Sequence, residues 1–387
     1  MKILVFMPYY PPHIGGVEFY AEEMHNYLAK NNNLTIFTPQ LPKNSKERED
    51  AKKGKIKILR FPAFEIIANY PLPKFWTLKF WRLFFYLYKQ NFDIVISHTR
   101  FFNTSLLALI YAKTTKTKWV HIEHGSDFTK LGSKFKNFIA KLYDYSIGYL
   151  IFKTSNLNIA ISTDVRSFIK KFDKRNTPII RRGIDIKTID AIEKNKIIKQ
   201  KNKNKIIIGY VGRLIDSKGI IDLIKTLKII KEEKAIDTKF ICLILGNGPL
   251  LKHLIKLTKQ WQLTKVVFFL GNTNRPDTLS TMKTFDIFIN PSYTEGLPTT
   301  VLEASACKNA IIATDVGGTN EIITHNKTGY LFQPKDITKL NTYILDLIDN
   351  PVKIKKFGNN AYKYIKNNFS WEESIKKYEK EFEKLLQ

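Results

Sequence analysis

Short apolar runs and amphipathic stretches alternate along this chain in the manner of β-strand–α-helix units. Apolar runs rich in Ile, Val and Phe are typical of strands buried on both faces of a parallel sheet. In the first half the pattern predicts strands at 2–7, 33–38, 55–61, 93–97, 118–123 and 157–161, and helices near 17–30, 75–90, 102–113, 135–153 and 162–171. In the second half it predicts strands at 206–211, 239–245, 265–270, 285–290 and 310–313, each followed by a helix.

The alternation restarts after a charged stretch rich in Lys and Asn, from Glu193 to Lys205, which is typical of a linker or a solvated helix. This repetition predicts an α/β protein with two doubly wound parallel sheets of the Rossmann-like type, facing each other across a cleft. In such sheets ligands bind at the carboxyl ends of the strands. We place an N-terminal domain at 1–185, a C-terminal domain at 186–368 and a final helical segment at 369–387.

The composition narrows the class of protein. With 387 residues, of which 44% are hydrophobic and 25% charged, the chain is long enough for two cores and has a globular makeup. Its two cysteines, Cys242 and Cys307, give no disulfide framework, which favours a reducing compartment. The apolar run from Ile3 to Met7 is too short for a signal peptide, and no run approaches the length of a membrane-spanning helix. We therefore expect a cytoplasmic protein.

Positive charge is in large excess, with 63 Lys and Arg against 35 Asp and Glu and a formal net charge of +28. Nucleic-acid binding would require a recognisable motif as well as charge, and the sequence carries none, so we expect no nucleic-acid partner. A basic surface that faces anionic lipid, on the inner face of the cell membrane, is the better interpretation.

Two glutamates frame the most informative segment of the chain. Glu295 follows the predicted strand 285–290 in a Gly/Pro turn, and Glu303 lies eight residues later in the next helix. Thr299 or Thr300 is expected to cap that helix, whose amides then face the carboxyl edge of the sheet and suit a phosphate. Carboxylates at the same edge suit sugar hydroxyls, from which they accept hydrogen bonds.

The stretch 290–323, which also contains Gly317-Gly318, resembles the donor-sugar motif of the retaining glycosyltransferases of family 4. This family has the two-domain GT-B architecture, and in its E-x7-E motif the first glutamate contacts the sugar and the second the nucleotide ribose. The resemblance implies those roles for Glu295 and Glu303. It also implies that the final helix crosses back to the N-terminal domain. Further donor-binding positions implied in the motif are Gly296, Leu297, Thr299 and Thr300.

Arg213 and Lys218 follow the first strand of the second domain, within a glycine turn formed by Gly212 and Gly219. A guanidinium fork and an ammonium five residues apart suit a diphosphate. The spacing resembles the family's G-R-x4-K-G motif, which implies that both cations stabilise the leaving nucleoside diphosphate. Two solvated cations in a basic protein are the alternative.

Gly15 and Gly16 follow the first strand of the chain and precede a helix, so backbone amides can approach a ligand closely there. They resemble the family's glycine loop at the donor phosphate. His124 ends the predicted strand 118–123 and resembles the histidine that the family places beside the donor sugar and the acceptor hydroxyl. Asp127 is a candidate for orienting the acceptor or His124.

Two further motifs depart from known patterns. Gly246 and Gly248 form an incomplete G-x-G-x-x-G, with Leu251 in place of the third glycine, which disfavours NAD binding. In the family this loop lies close to the nucleotide. Arg181-Arg182 stands where similar proteins carry Pro-Asn before Gly-Ile-Asp, so the polar contact of that Asn is in doubt here.

The sequence predicts no metal and no cofactor. His121, Glu123, His124 and Asp127 are too close on one strand and turn to converge as metal ligands. The Asp-x-Asp motif of metal-dependent glycosyltransferases is absent, so protein cations are expected to replace the metal.

A dense aromatic run occupies 75–88 and is interrupted by cations. One interpretation is an amphipathic helix in the membrane interface, with Phe80 and Phe84 among the residues that enter it. Burial against the N-terminal sheet is the other. The candidate membrane contacts are Trp76, Lys79, Trp81 and Arg82.

The combined pattern predicts a retaining, metal-independent glycosyltransferase that uses a UDP- or GDP-sugar and a lipid-linked or saccharide acceptor in envelope polysaccharide synthesis. Two alternatives stay open. A sugar-nucleotide epimerase of the same architecture would act on the donor without an acceptor. A non-catalytic basic module would bind membrane or nucleic acid and would not bind the donor.

Overall fold

The computed structural model describes residues 1–13, 15–42, 48–50, 55–67, 70–128, 134–234 and 239–387. The chain divides into two compact units, one of residues 1–183 with 371–387 and one of residues 184–370. Each unit contains a sheet with six parallel strands, to which the first unit adds one short antiparallel edge strand. The prediction of two Rossmann-like α/β halves is confirmed.

The first unit begins with alternating strands and helices. Its strands are β1 (Lys2–Phe6), β2 (Asn33–Pro39), β3 (Arg48–Asp50), β4 (Ile56–Phe61), β5 (Ala63–Ile67), β6 (Tyr70–Pro73), β7 (Ile94–His98), β8 (Lys118–Glu123) and β9 (Leu157–Ala160). Its helices are α1 (Gly16–Leu28), α2 (Leu78–Tyr88), α3 (Asn103–Thr115), α4 (Lys134–Tyr143), α5 (Tyr149–Thr154) and α6 (Thr163–Ile169).

The sheet of the first unit has the strand order β3-β4-β2-β1-β7-β8-β9, and β5 and β6 form a separate antiparallel pair. The chain leaves β1 towards β2 on one side and returns to β7 on the other. The loops after β1 and β7 therefore flank the switch point, where ligands bind in sheets of this kind. Aromatic side chains dominate the core beside this sheet, among them Phe6, Phe37, Phe61, Phe80, Phe84 and Trp119.

The second unit repeats the scheme. Its strands are β10 (Ile206–Val211), β11 (Phe240–Leu245), β12 (Val267–Gly271), β13 (Ile287–Asn290), β14 (Ala310–Thr314) and β15 (Gly329–Phe332). Its helices are α7 (Ile186–Ala191), α8 (Lys196–Lys201), α9 (Ile220–Lys234), α10 (Leu251–Gln260), α11 (Arg275–Met282), α12 (Thr299–Ala306), α13 (Thr319–Ile322), α14 (Ile337–Asp349) and α15 (Pro351–Asn368).

The sheet of the second unit has the order β12-β11-β10-β13-β14-β15, so its switch point lies between β10 and β13. Its strands are almost wholly apolar because helices cover them, and their side chains form a core of Ile, Leu and Val. Cys242 is buried in this core within β11, as the apolar run predicts, and burial raises the pKa of its thiol to about 12.

The last helix, α16 (Trp371–Leu386), belongs to the first unit and packs against α1. The hydroxyls of Tyr20 and Tyr378 are 2.6 Å apart and buried. Arg182, one of the two arginines that replace Pro-Asn, is also buried, and its guanidinium donates to the Glu23 carboxylate at 2.5 Å. Trp371 donates to the same carboxylate at 3.1 Å. Glu23 of α1 therefore bonds both to Arg182 and to Trp371 at the start of α16.

Several local predictions were wrong. The helix expected over 135–153 is interrupted by a π-helical turn, Asp144–Gly148, where the buried Asp144 carboxylate meets Arg100. The paired strands β5 and β6 and the edge strand β15 were not predicted, because all three are short and β6 and β15 also contain Pro or Gly. Helix α12 begins after Pro298, whose residue type offers no side-chain cap, so neither Thr299 nor Thr300 is its N-cap.

Candidate active site

The loops after β10 and β11 pack backbone against backbone at the carboxyl edge of the second sheet. The Gly212 amide donates to the Leu245 carbonyl at 3.0 Å, and the Leu214 amide donates to the Asn247 carbonyl at 2.9 Å. Gly246 has a φ of +134°, and a Cβ there would collide with the Gly212 carbonyl oxygen. Gly246 is therefore required by the packing of these two loops, in addition to any contact with a nucleotide.

Lys218 and Glu295 meet across the switch point of the second unit. Lys218 ends a short 3-10 turn after β10, and its ammonium donates to the Glu295 carboxylate at 2.7 Å. Both side chains are largely buried, with 26% and 10% exposed. The backbone of Tyr293 donates to the Ser217 carbonyl at 2.8 Å, which fixes the loop after β13 to the turn that carries Lys218. The structure thus brings together a cation and a carboxylate that the sequence assigns to the diphosphate and the sugar.

Glu303 lies on α12 and is 6% exposed. Its carboxylate accepts a hydrogen bond from Nε of Arg275 at 3.0 Å. Arg275 begins α11, directly after the loop that follows β12, and the sequence analysis did not select it. The sequence could have indicated Arg275, because the loop after every parallel strand contributes to the edge of the sheet where ligands bind.

The other predicted donor-binding residues lie in the same edge loops. Arg213 is exposed, and its carbonyl accepts a hydrogen bond from the Tyr210 hydroxyl at 3.1 Å. Gly317 has a φ of +55° and lies against the Glu295 carbonyl, while the Gly318 amide donates to the Gly296 carbonyl at 2.6 Å. The loops after β13 and β14 are therefore bound to each other. Buried Leu297 and half-exposed Thr299 and Thr300 complete this segment.

In the first unit the glycine pair lies where the sequence placed it. Gly15 precedes α1 in an extended conformation, and Gly16 is the first helical residue. His13 precedes the two glycines and Glu18 follows them, and His13 Nδ1 lies 2.8 Å from the Glu18 carboxylate. The first turn of α1 therefore carries a carboxylate as well as free amides, so this loop is less electropositive than the glycines alone suggest.

His124 lies at the end of β8 beside a second histidine that the sequence analysis missed. Its Nε2 is 3.0 Å from Nδ1 of buried His98, which ends β7. The ring also makes an edge contact with Tyr20, at 4.7 Å between centroids. Because one ring nitrogen of each histidine is engaged by the other, His98 determines how His124 is oriented.

Arg100, also missed, organises the loop that carries His124. Its guanidinium donates to the buried Asp144 carboxylate at 2.9 and 3.0 Å and to the Asp127 carbonyl at 3.1 Å. It also forms an ion pair with Glu123 at 3.3 Å. Glu123 in turn accepts from the amides of His124 and Gly125. Burial by itself would raise the pKa of Glu123, but the charge of Arg100 and these hydrogen bonds hold it below its usual range.

The Asp127 side chain contacts the backbone of its own loop. One of its oxygens accepts a hydrogen bond from the amide of Phe128 at 2.8 Å, and its carbonyl accepts from Arg100. The structure therefore shows Asp127 shaping the loop. Its role towards an acceptor stays a prediction.

Burial disfavours protonation of the histidines in this region. It lowers the pKa of His124 to about 4 and that of His25 to about 3, and it moves the pKa of His98 well below its ordinary value. Within the described part of the chain, neither ring nitrogen of buried His25 has a hydrogen-bond partner. At neutral pH these three rings are therefore uncharged.

We expect the free energy of unfolding to fall by about 2 kcal/mol per buried histidine between pH 7 and pH 5. The unfolded chain binds protons below its ordinary histidine pKa of about 6.5, whereas folded His25 and His124 stay neutral down to about 3 and 4. Stability is lost as the pH falls through this window. Urea unfolding followed by tryptophan fluorescence measures it, since four of the five tryptophans lie in the first unit.

The variant His25→Gln should lose part of this pH dependence, and replacement of exposed His253 by Gln should leave it unchanged. Equal pH dependence in wild type and His25→Gln would contradict the assignment.

Among the described residues, no group of three or more His, Cys, Asp or Glu side chains is arranged to hold a metal ion. Within the same ranges, no helix combines the length and apolar character needed to cross a bilayer.

The aromatic helix α2 has two faces. Phe80 and Phe84 are buried in the core of the first unit, so the expectation that they enter a membrane was wrong. The physical reason is the helical period, which directs these side chains towards Phe37 and Phe61. On the opposite face, Trp81 is 39% exposed, Arg82 is exposed and Lys79 is half-buried. Trp76, which precedes the helix, is 71% exposed.

Comparison with known families gives a consistent result. The family model described as Glycosyl transferases group 1 matches residues 191–364, and the model described as Glycosyltransferase Family 4 matches residues 14–188. An uncharacterized glycosyltransferase of Methanocaldococcus jannaschii is 40% identical over 100% of this chain and 99% of its own length.

A more distant relative and a solved structure extend the comparison. The Escherichia coli UDP-Gal:alpha-D-GlcNAc-diphosphoundecaprenol alpha-1,3-galactosyltransferase is 27% identical over 73% of each chain. The crystal structure of Anabaena HepE in complex with UDP-glucose superposes with a TM-score of 0.76 at 17% identity, over 99% of this chain and all of HepE. At that identity the superposition supports the fold alone.

Proposed function

The chain belongs to the family 4 glycosyltransferases, and we propose that it transfers a sugar from a UDP- or GDP-sugar to an acceptor hydroxyl with retention of anomeric configuration. The observation that carries the proposal is the contact of Lys218 with Glu295 at the switch point of the second sheet. A cation and a carboxylate at this edge suit the two halves of a sugar diphosphate, which are an anionic leaving group and a hydroxylated ring.

In this proposal Arg213 and Lys218 stabilise the negative charge that develops on the diphosphate as the glycosidic bond breaks. The acceptor hydroxyl attacks the same face of the sugar, and the β-phosphate takes its proton. Glu295 holds the sugar hydroxyls, and Glu303 holds the ribose. His124, neutral at physiological pH, contributes a hydrogen bond to the sugar and cannot act as a charged acid there.

A thermal-shift screen of nucleoside diphosphates and their sugars identifies the donor, because a ligand that binds the folded state raises the unfolding temperature. The anomeric configuration of the product, determined by NMR, then tests retention. An inverted product would overturn the proposed mechanism, and formation of an epimerised donor without acceptor would favour an epimerase.

We expect transfer to continue in excess EDTA, because protein cations take the place of a metal at the diphosphate. Initial rates with and without chelator, and after addition of Mg²⁺ or Mn²⁺, measure this. Loss of activity in EDTA that either ion restores would contradict metal independence.

We further infer a lipid-linked acceptor, used in polysaccharide synthesis at the inner face of the cell membrane. The support is the net charge of +28 together with exposed Trp81 and Arg82 on the outward face of α2 and exposed Trp76 just before this helix. Exposed aromatic rings beside cations are typical of helices in the membrane interface. The named acceptor of the Escherichia coli relative is a diphosphoundecaprenol-linked sugar, which agrees with this class.

A further inference from the structure

A second exposed apolar surface lies on the first unit, at a distance in sequence from α2. It follows α4, the π-helical turn and α5, and its side chains recur at the three- and four-residue spacing of a helix face. We call it the α4–α5 stripe. Its members, between 42% and 73% exposed, are Phe135, Phe138, Ile139, Leu142, Tyr145, Tyr149 and Leu150.

An ordinary surface helix turns apolar side chains to the core and polar side chains to solvent, whereas this segment has apolar side chains on both sides. The same segment already has a core-facing side, where Ala140, Ile151 and Phe152 are almost completely buried. The stripe is therefore an additional apolar face, larger than the single exposed side chains that any protein surface carries. Contiguous apolar patches of this kind mark an interaction surface.

The charges around the stripe identify the occupant. From 134 to 154 the sequence carries four lysines, Lys134, Lys136, Lys141 and Lys153, and one acid, Asp144. Asp144 is buried and neutralised by Arg100, so it adds no negative charge at the surface. Exposed aromatic and aliphatic side chains lie in the same segment as exposed Lys134, Lys141 and Lys153, and residues 134–154 contain no acid other than Asp144. This combination complements the headgroup region of an anionic bilayer.

The stripe is joined to the loop that carries His124. The rings of Tyr145 and Phe128 are 5.4 Å apart, and the Lys141 ammonium lies 5.4 Å from the Phe128 ring. Arg100 connects the Asp144 carboxylate to the Asp127 carbonyl. A surface bound to the stripe is thereby held next to the loop 124–128.

We propose that the α4–α5 stripe docks into the headgroup region of an anionic bilayer and so places the loop 124–128 where a lipid-linked acceptor is presented. Only the statement about the acceptor rests on the proposed glycosyl transfer. Docking itself is a property of the stripe and is separate from the contact through α2.

Co-sedimentation with vesicles tests the docking. The full-length protein is mixed with phosphatidylcholine vesicles that either contain or lack phosphatidylglycerol, at low and high salt. The stripe variant is Phe138→Ser with Leu142→Ser. The matched control replaces exposed apolar residues of the second unit, Val352→Ser with Ile197→Ser. A third variant, Trp76→Ser, reports the contribution of the exposed segment just before α2.

We expect wild type to bind the anionic vesicles and to be released by salt. The stripe variant should bind at least about tenfold more weakly, while the control binds as wild type. All replaced side chains are exposed, so we expect the variants to fold. Unfolding temperatures equal to that of wild type will show this. Equal vesicle binding by wild type and the stripe variant would overturn the proposal.

Light scattering without lipid separates a lipid surface from a second copy of the chain. If the stripe variant changes the oligomeric state and leaves vesicle binding unchanged, the stripe is a subunit interface and the proposal is wrong. Donor binding, measured in parallel, separates the two hypotheses. Vesicle binding without any donor binding would sink the proposed function and leave the docking surface intact.

Discussion

Replacing Lys218 by alanine should lower the turnover number about a hundredfold or more, with a smaller effect on the donor KM. The Lys218 ammonium lies 2.7 Å from Glu295 at the switch point, so it is fixed where the leaving diphosphate is proposed to gain charge. Removal of one preorganised group of this kind commonly costs ~10²-fold in turnover. Replacing exposed Arg213 by alanine should also lower the turnover number, because Arg213 is proposed to bind the same diphosphate.

Steady-state kinetics with the donor found by thermal shift measure both variants. Lys225→Ala is the matched control, since Lys225 is an exposed lysine of α9 in the same unit and should leave both constants unchanged. Lys218 also neutralises Glu295, so Lys218→Met, which keeps the stem without the charge, is a second variant. Wild-type turnover in Lys218→Ala and Arg213→Ala alike would end the assignment of these cations.

The two glutamates of the E-x7-E motif share a feature that the sequence did not predict. Each is paired with a cation, Glu295 with Lys218 and Glu303 with Arg275. A donor with a diphosphate would otherwise meet two uncompensated carboxylates at its binding edge. The pairing removes that repulsion and directs each carboxylate before the donor arrives, which lowers the cost of ordering the site on binding.

The fold was predictable because both sheets are parallel and their strands are continuous apolar runs. The runs at 118–123 and 206–211 have the predicted bounds. The pattern failed where apolar periodicity does not decide the structure. The π-helical turn begins at Asp144, which pairs with Arg100, a residue far away in sequence. Strands β5 and β6 contain too few residues to show a period.

The candidate site was partly predictable for a similar reason. Residues within a motif, such as Glu295 and Lys218, were identified by spacing. Arg275, His98 and Arg100 belong to no such motif, and their importance arises from partners elsewhere in the fold, which are Glu303, His124 and Glu123. Phe80 and Phe84 are buried because their face of α2 meets the sheet. The sequence alone does not identify that face, since aromatic residues occur on all sides of the helix.

Replacing Glu303 by alanine should lower kcat/KM about a hundredfold and abolish discrimination between ribose and deoxyribose donors. Its carboxylate is 6% exposed and is directed by Arg275 at 3.0 Å, so it can accept hydrogen bonds from the ribose hydroxyls in a site that excludes most water. Hydrogen bonds to a charged group contribute about 1.5–3 kcal/mol, which corresponds to a factor between ten and ~10².

The diagnostic comparison uses a donor that lacks the ribose hydroxyls. Wild type should lose about the same factor on this donor as Glu303→Ala loses on the normal donor, and the variant should treat both donors alike. Glu232→Ala, at an exposed glutamate of α9, serves as the control. Arg275→Ala should raise the KM with little change in turnover, because it leaves the carboxylate in place without its orienting partner. If Glu303→Ala still prefers the ribose donor as strongly as wild type does, Glu303 does not hold the ribose and the Arg275 pair is structural.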